Sequence, residues 1–72
     1  MSFAELNDAL QRATPAGHWI FWRGDTALVA NSHASTELGR ADEPLEELLW
    51  RIPDMCDIVD ALKADKMEQR GF

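Results

Sequence analysis

Seventy-two residues, 46% of them hydrophobic and including three Trp and three Phe, make one folded domain and exclude a disordered chain. A formal charge of −6 sets the chain against phosphate, which excludes direct binding to DNA, RNA or an anionic membrane. A domain this short buries only about 60% of its unfolded surface. Cys56 is its single cysteine, so no internal disulfide supports it, and a second copy or a partner is the expected stabiliser.

Residues 2–13 predict a short amphipathic helix. Ser2 and Glu5 have the spacing of a capping box, in which each side chain satisfies the other residue's backbone N–H. Phe3, Leu6, Leu10 and Ala13 fall on one helical face. Thr14-Pro15-Ala16-Gly17 ends the helix, because a residue before proline is pushed out of the α region.

Residues 18–32, HWIFWRGDTALVANS, predict a β-hairpin, since aromatic and β-branched residues fill both halves. Gly24 and Asp25 divide them, and a glycine at the first central position suits a type II′ turn. That turn sets Arg23 against Thr26, Trp22 against Ala27, Phe21 against Leu28, Ile20 against Val29 and Trp19 against Ala30. Alternation then puts Trp19, Phe21, Leu28 and Ala30 on one face, and Ile20, Trp22, Ala27 and Val29 on the other. Both faces are apolar, and both need covering. Residues 33–41 lack a clear period and predict a loop.

Residues 43–69 predict a second helix, capped by Asp42 or Glu43, with Pro44 in its first turn and Gly71 closing it. Early Glu43, Glu46 and Glu47, and late Lys63, Lys66 and Arg70, complement its dipole. Pro53 interrupts it by removing the bond to the Leu49 carbonyl. The apolar stripe Leu45, Leu48, Leu49, Ile52, Met55, Cys56, Val59 and Leu62 keeps one phase across the proline. That phase predicts a kinked, nearly continuous helix rather than two helices meeting at a corner. The fold class expected is α+β in the order α-β-β-α, with a two-stranded hairpin packed on both helices. A two-stranded sheet is marginal alone, which predicts a homodimer through whichever hairpin face the helices leave bare, with Trp19, Phe21 and Leu28 as contact residues of one face and Trp22 of the other.

Charge is concentrated. The span from Glu37 to Asp60 holds eight acids against only Arg40 and Arg51, and so carries the whole net charge. Trp50 points roughly opposite the leucine stripe, among Glu43, Glu46, Glu47, Asp54 and Asp57. It is either an anchor that enters a basic-rimmed pocket on a partner protein, or a core ring covered by the first helix or the hairpin. The carboxylates around it are either a solvated face or a steering surface for a basic partner.

No chemistry-bearing motif accompanies these features. His18, His33 and Cys56 lack the spacing of a zinc knuckle or an HExxH helix. Cys56 lies in the apolar stripe, where a thiolate is disfavoured. Ser32 and Ser35 beside His33 form no nucleophile elbow, and Arg23-Gly24-Asp25 reads as a turn. The expectation is a non-enzymatic protein without metal or cofactor. The N-terminus lacks a basic region followed by an apolar run, which predicts no secretory leader and a soluble, cytoplasmic protein.

In size and acidity the chain resembles the small single-domain proteins with which phages inhibit host enzymes or defence complexes, anti-CRISPR proteins among them; no motif carries the likeness. The resemblance implies an inhibitor or modulator that occludes a basic surface on a larger protein. The alternatives are a regulatory or assembly subunit that completes a larger complex with its hairpin face, and a small-molecule sensor with its ligand between hairpin and helix.

Overall fold

Ser2 caps the first helix as its spacing to Glu5 requires. The Glu5 N–H donates to Ser2 Oγ at 3.2 Å, and the Ser2 N–H donates to Glu5 Oε1 at 3.3 Å. The structure, a computed structural model, describes the backbone of residues 2–70 and the side chains of residues 2–62. Its elements are α1 (Phe3–Ala13), β1 (Trp19–Arg23), β2 (Thr26–Ala30), β3 (Ser35–Arg40) and α2 (Leu45–Arg70). The expected cap Gly71 lies outside the described residues, as do the side chains of Lys63, Lys66 and Arg70.

The β1–β2 register is the expected one at all five pairs, from Trp19–Ala30 to Arg23–Thr26. Gly24 has φ +62° while Asp25 keeps a negative φ, which fits a type II′ turn and not type I′. The sheet differs from expectation in its strand count. Residues 35–40 are not loop but a third strand, antiparallel to β2, giving the order β1-β2-β3. Asn31 makes the connection: its Oδ1 accepts from the backbone N–H groups of His33 and Ala34, both at 2.8 Å. β3 carries one large apolar residue, Leu38, so its pairing with β2 and not its own propensity makes it a strand.

The third strand also explains the two-faced hairpin. β2 becomes the central strand, buried along Ala27, Leu28, Val29 and Ala30. Both helices cover one face, where Leu6, Leu10, Ile20, Ala27, Val29, Leu38, Leu48, Ile52, Cys56 and Val59 form the core. On the outer face Leu28 sits in register between Phe21 and Glu37, and Ala30 between Trp19 and Ser35. Their strand neighbours leave both residues buried without a second layer. The marginal two-stranded sheet from which a homodimer was expected is therefore absent.

Each sheet edge has its own cover. On β1 the Gln11 amide behaves as a short strand, donating to the Ile20 carbonyl at 2.7 Å and accepting from the Ile20 N–H at 3.2 Å. On β3 the register shifts between Ala27 and Leu28, which leaves Leu38 as an extra residue. Gly39 is then pressed against α2, where a Cβ would stand 2.5 Å from Leu48 Cδ2.

α2 runs unbroken through Pro53, so the two-helix alternative does not hold. Its stripe is buried at Leu48, Ile52, Cys56 and Val59, and half-buried at Leu45, Leu49 and Met55. The helix opens two residues later than expected. The Pro44 carbonyl accepts from the N–H groups of Glu47 and Leu48, so Pro44 stands just outside the first turn. No helix among the described residues is long and apolar enough to cross a membrane.

Candidate functional site

α2 buries one stripe, so the residues opposite it are set outward by helical geometry. Trp50 is the centre of that outward face and is 81% exposed. Neither α1 nor the sheet covers it, so the core reading of this ring does not hold. Beside it lies a shallow groove of about 220 Å³ lined by Glu46, Leu49, Trp50 and Pro53. These positions are i, i+3, i+4 and i+7, one continuous patch of helix surface. From the sequence Leu49 reads as part of the apolar stripe and Pro53 as the interruption of the helix; the structure adds that both line this groove, a role their spacing from Trp50 made readable.

The five acids expected around Trp50 divide into two groups. Glu43 is held inside the fold: its Oε1 lies 2.7 Å from Arg51 Nη1, and its Oε2 accepts from the Arg40 backbone N–H at 2.7 Å. These contacts, the Arg40 N–H first and Arg51 second, hold the Glu43 carboxyl below its ordinary value. Glu47 stands 3.7 Å from Arg51. Glu46, Asp54 and Asp57 are exposed and pair with no cation among the described residues.

The residues expected at a second interface also separate. Trp19, Phe21 and Leu28 are on the outer sheet face, where Trp19, Phe21 and Leu62 help line a groove of about 540 Å³. Trp22 is on the opposite face and belongs to the fold. Its Nε1–H donates to Asn7 Oδ1 at 2.8 Å, and its ring meets Phe3 at a centroid distance of 4.7 Å. Helix packing claims this ring because Ile20 and Trp22 share the face that α1 covers.

Titratable groups elsewhere act as structural ties. Asp60 Oδ1 accepts from Asn31 Nδ2 and faces His18 Nε2, both at 3.0 Å, joining α2 to the end of the sheet. The partners are 42 and 29 residues apart, so no local spacing announces the cluster. Burial pushes the Cys56 thiol up, with Asp60 and Asp57 adding to the effect, so the sulfur stays a neutral core atom. Among the described residues no three His, Cys, Asp or Glu side chains converge as a metal site requires.

No family model matches the chain, and neither a curated protein nor a solved structure matches it. The functional reading therefore rests on the faces themselves.

Proposed function

We propose that this chain is a non-enzymatic protein-binding module, an inhibitor or modulator of a larger protein, and that it docks a basic surface through the Trp50 face of α2. The observation that carries the reading is the 81% exposed indole beside Glu46, Asp54 and Asp57, carboxylates that pair with no cation among the described residues. Burying most of an indole is worth on the order of 3–5 kcal/mol before the costs of association. The fold itself makes no use of that energy. Aromatic rings of this kind dominate interface hot spots, and surrounding acids raise the encounter rate with a basic partner. Pro53 adds to the reading: the hydrogen bond it removes favours a bend beside Trp50, which would set the groove forward from the rest of the helix.

Affinity capture from extracts of the source cell with wild type and Trp50→Ala, followed by mass spectrometry, tests the proposal. The expected result is a protein recovered by wild type and lost with Trp50→Ala. Equal recovery by both overturns it.

A second reading takes the outer sheet face as the interface of an assembly subunit or a homodimer. It is favoured by the exposure of Trp19 and Leu62 at the outer groove. Sedimentation separates the two, since only this second reading makes Trp19→Asp change the oligomeric state.

A further inference from the structure

Building on the reading of the Trp50 face as a docking surface, we propose that the groove beside Trp50 takes an arginine side chain from a basic segment of the partner protein. Its guanidinium stacks on the indole and bonds to the Glu46 carboxylate. The groove's volume, about 220 Å³, equals that of roughly seven liquid waters. This is the scale of one long side chain and not of an entering helix or strand.

The lining selects among side chains. Leu49, Trp50 and Pro53 supply apolar walls, and Glu46 supplies one carboxylate. An apolar occupant would strip water from Glu46 and offer nothing in return. A lysine ammonium is a strongly hydrated point charge that gains little from apolar walls. A guanidinium is planar and weakly hydrated; it stacks on an aromatic face while its N–H fork meets a carboxylate.

Charge complementarity points to the same occupant. Asp8 holds Arg12, Asp25 and Asp42 hold Arg40, and Glu43 and Glu47 hold Arg51. Among the described residues, the carboxylates left over on the outward face of α2 are Glu46, Asp54 and Asp57, at i−4, i+4 and i+7 from Trp50. Arg51, adjacent in the chain, is drawn to the neighbouring strip and to the Leu38 carbonyl, 3.3 Å from its Nη1. It does not fill the groove.

The test uses the full chain, isotope-labelled, with the Trp50 indole N–H resonance assigned by its loss in Trp50→Phe. The probes are an arginine-rich peptide and the same peptide with every arginine replaced by lysine. The expected result is a shift of the Trp50 indole resonance and roughly two- to fivefold tighter binding of the arginine peptide, the range of an exposed cation–π contact. Trp50→Ala is expected to erase the arginine preference while leaving a weaker, salt-sensitive attraction for both peptides, and Trp50→Phe to keep part of it. Equal affinities, an arginine preference that survives Trp50→Ala, or an unmoved indole resonance each overturn the proposal. If any of these occurs while Trp50→Ala still loses the captured partner, the arginine occupant fails and the docking face stands. If capture is also indifferent to Trp50, both fail.

Discussion

Gly39 of β3 lies so close beneath Leu48 of α2 that a methyl group on it would come 2.5 Å from Leu48 Cδ2. Leu48 is fully buried, so its side chain cannot swing into solvent to make room. Glu43 Oε2 and Arg51 Nη1 would stand 2.6 and 2.7 Å from the same methyl, but these are ends of flexible side chains and can yield. Gly39→Ala is therefore expected to destabilise the fold by about 1–3 kcal/mol, the usual cost of overpacking. For a domain of this size that lowers Tm by roughly 4–8 °C per kcal/mol. Thermal unfolding that matches wild type would show that the sheet and α2 separate at little cost.

The ion pair beside that contact makes a prediction about pH. Glu43 is held below its ordinary value of 4.5 by the Arg40 N–H and by Arg51. Because the folded value is the lower one, the stability this carboxylate contributes is present above the ordinary value. It is lost as pH falls through the lowered one. Glu43→Gln is thus expected to melt below wild type at neutral pH, with the two curves converging in acid. A gap in Tm that stays constant on acidification would remove Glu43 from the link between β3 and α2.

Trp22 and Trp19 differ by three positions and by sheet face, and they should respond differently to the same change. Trp22 is hydrogen-bonded to Asn7 and in tilted ring contact with Phe3, so Trp22→Asp puts a charge into packed apolar surroundings. A loss of about 3–5 kcal/mol, which unfolds much of the population, is expected. Trp19 is 44% exposed, and Trp19→Asp is expected to stay folded. Circular dichroism melts distinguish them; a folded Trp22→Asp would mean that α1 does not depend on this ring.

Pro53 faces solvent within an unbroken helix. Pro53→Ala restores a backbone N–H to the Leu49 carbonyl and replaces the poorest helix former with the best. Its Tm is expected to equal or exceed that of wild type. A clear fall would mean that the proline ring itself packs against something essential.

Elements that carry their own local signals were legible in the sequence. The capping box at Ser2, the register imposed by Gly24 and the apolar stripe of α2 each follow from residues within a few positions of one another. β3 was not legible for the opposite reason. Its Ser, Thr, Glu and Gly residues have no strand signal that survives without β2 beside them, and Leu38-Gly39 reads equally well as a helix end. The two apolar faces of β2 did hold the information, because a central strand is the simplest way to bury both. On the α2 face, the phase of Trp50 was readable while its exposure was not, since only tertiary packing decides whether α1 reaches it. Glu43 looked like its neighbours, and only folding brings Arg40 and Arg51 to it.

Trp50 and its carboxylates are expected to separate in kinetics. Trp50→Ala removes an exposed ring, so stability should change by no more than about 0.5 kcal/mol. Binding to the captured partner should weaken by about 2 kcal/mol or more, a factor of roughly thirty, and mainly through faster dissociation. Charge reversal at Asp54 and Asp57, which lie outside the groove lining, should instead slow association and flatten its salt dependence, because rim charges guide encounter more than they hold the complex. Reversal at Glu43 belongs to neither class, since it breaks the Arg51 pair and lowers Tm first. Melting curves come before binding kinetics, so that loss of fold is not mistaken for loss of contact. A Trp50→Ala protein that melts far below wild type would make the ring part of the fold. One that melts and binds normally would leave α2 a solvated face and move the functional contact to Trp19 and Phe21 on the outer sheet.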